Sequence, residues 1–204
     1  EASDEDDIRK IGYSKDGKHQ HPQIMLGLLV GRNGYPIGYE IFQGNTSETK
    51  TLIPVLEVFQ QRFNIDKPIV VADCALLSGT NIQALKRQGY KYILGGKIKN
   101  EAQQIQEKIL QLDIEPDKPT EIQNKYGRLI ITYSEKRAKK DAFNRQRGLK
   151  RLETKVKSGK LTKENINNRG YNKYLVLEND VKVKIDYDKF SADQAWDGLK
   201  GYST

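Results

Sequence analysis

Cysteine is almost missing from this chain: its 204 residues include one, Cys74, so no internal disulfide can form. A single thiol fits a reducing compartment, and the expected location is cytoplasmic. Tryptophan also occurs once, and aromatic residues make up only 8%. Long apolar runs are absent. None approaches the ~18 residues that a membrane-spanning helix needs, so no membrane partner is expected. The chain opens on Glu1-Ala2-Ser3-Asp4-Glu5-Asp6-Asp7, an acidic stretch opposite in character to a secretory signal. It has no initiator Met, and the expectation is a sequence that starts inside a longer one.

What is present is charge, with 30% charged against 36% hydrophobic residues and a net charge of +8. That is polar for a globular chain, but it is not the composition of a disordered one. The apolar residues are concentrated around 24–30, 51–63 and 69–77. Charge is concentrated elsewhere. Residues 1–100 hold 13 basic and 11 acidic side chains, whereas 136–173 alone hold 14 basic and 3 acidic, a net of +11. A local field of that size attracts polyanions, nucleic acid first among them. The competing reading is a solvated helix face.

Periodicity sorts the first half into alternating elements. Residues 23–31 form an apolar run, Asn33-Gly34 is a hairpin turn signal, and 36–43 alternate as a returning strand. Asn45 or Ser47 is placed to cap a helix in which Leu52, Val55, Leu56, Phe59 and Phe63 share one face; Pro54 implies a distorted first turn or a later start. Pro68 to Asp73 reads as a buried parallel strand. A helix over 82–88 ending at Gln88-Gly89 and a strand over 90–95 complete a mixed sheet with helices packed on it. Beyond Lys97 the expected elements are a helix at 100–112, strands at 120–122 and 129–133, a long basic helix over 135–156 weakened at Gly148, and a hairpin pairing 174–177 with 181–185.

Asp73 is the most informative position. A carboxylate closing a buried strand lies at the carboxyl edge of a sheet, where ligands and metals bind. The plainer reading is a turn or capping Asp. His19 and His21 are expected in a solvated loop, Asp4–Asp7 as a frayed acidic terminus, and Asp193 and Asp197 at the surface. Cys74 is expected to be buried and inert, and Trp196 to anchor a core.

Five stretches then point to a family. Ile11–Gly17, Leu26–Val30, Tyr35–Glu40, Gly44–Thr51 and Val70–Asp73 resemble, in order and spacing, the core of insertion-sequence transposases of the DDE type. The resemblance is strong over residues 8–97 and weak beyond. It implies an RNase H-like α/β fold, with a mixed sheet and flanking helices. It also implies three acids (Asp, Asp, Glu) that hold two Mg²⁺ or Mn²⁺ ions for cutting and joining DNA strands. Asp73 matches the second acid, catalytic and metal-binding. The first Asp is expected ahead of Glu1 and the last Glu on a helix after Thr204, so the chain alone is expected to be inactive. Where the family often has Arg-Gly after this Asp, Cys74-Ala75 stand here. The implied partners are DNA, at transposon ends and target, and a second copy in a homodimer.

The expected organisation is a core over residues 1–97, truncated at its first strand, and a basic α+β insertion over 98–204. Within the insertion, Lys139, Lys140, Arg145, Arg147, Lys150 and Arg151 are the expected DNA contacts, with only Asp141 and Glu153 nearby as ion-pair partners. Two other readings stay open: a non-catalytic nucleic-acid-binding remnant of a mobile element, and an RNase H-like nuclease.

Overall fold

The computed structural model describes residues 4–14, 17, 20–64, 67–116, 118–178 and 182–204. His19 therefore lies outside the described residues. The chain divides into two compact units: residues 1–96 with 123–129 and 202–204, and residues 97–122 with 130–201.

In the first unit, strand β1 (Lys10–Ile11) pairs with β2 (Pro22–Val30), which pairs antiparallel with β3 (Pro36–Gln43). The turn closes at Gly34, whose φ of 82° is open to glycine at little cost. Helix α1 (Leu52–Phe63) packs on this hairpin. A Cβ on Gly27 would lie 2.8 Å from Val55 Cγ2, so the glycine admits the helix. A 3-10 turn at Glu48–Lys50 precedes α1, which starts at Leu52, later than a cap at Asn45 or Ser47 implies. Pro54 fits there because the first four amides of a helix lack intrahelical acceptors.

Strand β4 (Val70–Ala72), helix α2 (Gly79–Arg87) and strand β5 (Tyr92–Gly96) follow, with β4 and β5 parallel as a crossover through a helix requires. Leu56, Val70, Ile82, Leu85, Tyr92 and Leu94 are the centre of this unit's core. β4 departs from expectation. Only Val70 is buried; Val71 is 72% exposed, since α1 and α2 cover one face of the strand and nothing described covers the other. The hairpin behaves alike: Ile24, Leu26, Leu28 and Val30 on β2, and Ile37, Tyr39 and Ile41 on β3, are exposed.

Further along lie helix α3 (Gln103–Leu110), strands β6 (Thr120–Asn124) and β7 (Gly127–Tyr133), helix α4 (Glu135–Lys157), strands β8 (Leu175–Glu178) and β9 (Lys182–Ile185), helix α5 (Tyr187–Ala192) and strand β10 (Leu199–Ser203). The five-stranded sheet has the order β4-β5-β10-β7-β6, which makes β4 an edge strand rather than an inner one. The two-residue connection between β6 and β7 forces that pair to be antiparallel, so the sheet is mixed. β8 and β9 form a separate antiparallel pair. The second unit's core joins α4, through Leu149 and Leu152, to Tyr174, Leu175, Val183, Ile185 and Phe190.

Gly148 has a different role from the weak point the sequence implies. It is buried, and a Cβ there would fall 2.1 Å from the Tyr171 ring, whose hydroxyl donates to the Asn144 carbonyl at 2.7 Å. The glycine makes room for an aromatic ring lying across the helix.

Within the acidic stretch Asp4–Asp7, expected to be frayed, Asp6 is held by hydrogen bonds. Asp6 accepts from the amides of Ile8 and Arg9 and from Arg9 Nε, at 2.9, 2.5 and 2.6 Å. The Arg9 amide, the Arg9 side chain and then the Ile8 amide hold its pKa down at about 2. Gly44 N donates to Ile8 O, tying the segment to the end of β3.

Candidate functional site

Asp73 directly follows β4 and is exposed. Its Oδ1 accepts from the Ala75 amide at 2.8 Å, an Asx turn that directs the chain away from the strand. The neighbouring strand comes close to this turn: a Cβ on Gly95 of β5 would lie 2.8 Å from Cys74 N and 3.2 Å from Asp73 C. Cys74, expected to be buried, is exposed, because the turn carries it out beyond the last β4 pairing.

Behind the turn, Ser78 caps α2 by accepting from Asn81 N at 3.1 Å. The Asn81 side chain is 95% buried, at 5% exposure, and donates to Thr49 O at 2.8 Å and Leu76 O at 2.9 Å. One amide thus ties the loop before α1 to the loop carrying Asp73. A cleft of about 650 Å³ is lined in part by Ser14, Thr46, Ser47 and Thr49, by the apolar Met25, and by Ala75. Sequence reasoning missed Asn81; the available signal was an amide three residues after a Ser cap, where a buried polar group needs carbonyl partners.

Among the described residues, no three His, Cys, Asp or Glu side chains gather as a metal-holding group. Among these residues, then, Asp73 is not part of a three-ligand group of the kind a two-ion centre needs.

Helix α4 runs over 23 residues, capped by Ser134. At 3.6 residues per turn, Lys136, Lys139, Lys140, Arg147, Lys150, Arg151 and Lys157 lie in one stripe of roughly 120°. All are exposed. Glu135, Asp141 and Glu153 fall outside that stripe, and Asp141 pairs with Arg137 at 3.4 Å. The i,i+4 pairing that a merely solvated helix would use is thus absent along the stripe.

Arg145 occupies the opposite face. It is 7% exposed, ion-paired with Asp197, and lies over the Phe190 ring at 5.7 Å. Its guanidinium is spent inside the unit, so among the six expected DNA contacts it is the one the structure withdraws from solvent. The cause is spacing: five residues beyond Lys140, it points about 140° away around the helix.

Asp193 and Asp197 are not surface acids. Asp193 accepts from Lys99 at 2.7 Å, Lys173 at 2.9 Å and Tyr174 at 2.6 Å. Burial pushes its pKa up, but the bonds from Lys99, Tyr174 and Lys173 outweigh it and hold the carboxyl well below the usual range. Burial, and then the bond to Asp193, push the Tyr174 hydroxyl upward. Trp196 is buried as expected, with Lys99 Nζ 5.9 Å from its ring centre.

Residues 3–186 match the family model described as Transposase DDE domain. With that share of the chain matched, the protein belongs to the DDE-domain transposase family. No curated protein and no solved structure matches it. No helix among the described residues is long and apolar enough to cross a membrane.

Proposed function

We propose that this chain serves a transposase that cuts and joins DNA, with Asp73 as one carboxylate of the catalytic set and the outer face of α4 as the DNA-holding surface. The observation that carries the reading is the α4 stripe: seven exposed cations with no carboxylate among them. Such a surface suits phosphate oxygens, whose contacts position a duplex without reading its sequence. Arg145 is excluded from it by burial.

For Asp73 the support is position: an exposed carboxylate at the carboxyl end of a strand, held by its turn, two residues from Ala75, which lines a cleft with several hydroxyls. The Mg²⁺ or Mn²⁺ ions expected of the family need more carboxylates than this one. The chain therefore contributes to a metal centre rather than forming one, and by itself it does not cleave. The test is strand cleavage by the full-length transposase with Mg²⁺ or Mn²⁺. Asp73→Ala abolishes cleavage while DNA binding persists; cleavage retained in the variant overturns the role. Asp73-dependent nicking by the present chain alone would overturn the incomplete-centre reading.

A further inference from the structure

The outer stripe of α4 contains one apolar side chain, Phe143. It sits one helical turn from Lys139 and one from Arg147, with Lys136, Lys140 and Lys150 around it. Its ring is 66% exposed, although Leu149 and Leu152 on the inner face of the same helix are buried in the core. The Arg147 guanidinium lies 5.7 Å from the ring centre. Only about a third of the residue is covered, so packing accounts for little of a phenylalanine there, and a polar residue would hydrate better.

Charge and ring together have a specific chemical meaning. A row of cations alone serves a duplex, whose bases are stacked inside and whose phosphates face outward. An aromatic face set among cations serves a strand whose bases are free, because a base can lie on the ring while the flanking phosphates meet Lys and Arg. Arg147, already over the ring, adds a second planar surface beside it.

We propose that the outer face of α4 takes single-stranded DNA, with an unpaired base stacked on Phe143 and its neighbouring phosphates held by Lys139, Lys140, Arg147 and Lys150. This rests on the DNA-holding reading of α4 and adds the form of DNA that the face selects. Unpaired ends and frayed strands are the relevant ligand, and uninterrupted duplex meets only the cations.

Fluorescence anisotropy with one oligonucleotide, single-stranded and as a blunt duplex, tests this on the whole chain. Phe143→Ala weakens single-strand binding about tenfold, the scale of one lost stack, and leaves duplex binding within about twofold. Phe143→Trp restores single-strand affinity, and the emission of the new indole is quenched by the single strand but not by the duplex. Because the side chain is exposed, both variants fold as the parent does, which thermal unfolding checks. Equal losses on both DNAs, no loss on the single strand, or no quenching overturn the proposal. If duplex binds with a steep salt dependence while Phe143 is indifferent, only this inference falls. If neither DNA binds, the DNA-holding reading falls with it.

Discussion

At the scale of single residues, Gly148 and Gly95 are among the glycines at positions where a methyl group has no room. Gly148 faces the Tyr171 ring, and Gly95 faces the backbone of the Asp73 turn. Alanine normally favours a helix over glycine by up to about 1 kcal/mol. Gly148→Ala is nevertheless expected to lower stability by about 1–3 kcal/mol, because the ring must leave its place; urea unfolding measures it. A stabilised variant would show that the ring moves freely. Asp193 gives a pH signature. Its folded-state pKa is depressed, so its network adds stability that is full above the ordinary carboxylate value and is lost as pH falls from there through the lower folded value. Asp193→Asn should flatten the acid limb of the unfolding midpoint against pH; an unchanged limb would place the lability elsewhere. These features were illegible in the sequence. Asp193 looked like a surface acid because its partners, Lys99, Lys173 and Tyr174, lie 94, 20 and 19 residues away.

At the scale of elements, local patterning was informative and its failures have local causes. The β2–β3 hairpin, the parallel β4–β5 pair, the β8–β9 pair and the long α4 all follow from periodicity and turn chemistry. The start of α1 was displaced by the 3-10 turn, which an Asn or Ser signal does not reveal. For α4, composition shows a basic helix but not which cations face outward; only the helical spacing separates Arg145 from Lys140, by about 140°. The two faces should separate by mutation. Arg145→Ala leaves the half-buried Asp197 without its partner, at a cost of up to about 3–5 kcal/mol, and stability falls with it. DNA affinity, measured where the variant remains folded, should be unchanged. A selective loss of DNA affinity with stability intact would return Arg145 to the binding surface.

At the scale of the whole molecule, charge and apolar surface are separated along the chain. The basic excess lies in residues 136–173, while exposed apolar side chains line β2, β3 and β4. These strands carry apolar side chains that no described residue covers, and the sequence could not show this, because apolar residues occur on both faces of β2 and β4. An apolar surface of this kind binds hydrophobic dyes and promotes association. Leu26→Lys with Leu28→Lys should reduce dye binding without unfolding the unit, since both side chains are exposed. Unfolding of that double variant would show that the face is packed.

DNA binding by the outer face of α4 is the property on which the proposed function depends most. Duplex affinity measured against salt concentration, for the chain and for a variant with Lys139, Lys140, Lys150 and Arg151 all changed to Ala, tests it. The expected result is weaker binding by the variant and a log–log salt slope shallower by about 1 for each cation removed. An unchanged slope would contradict it.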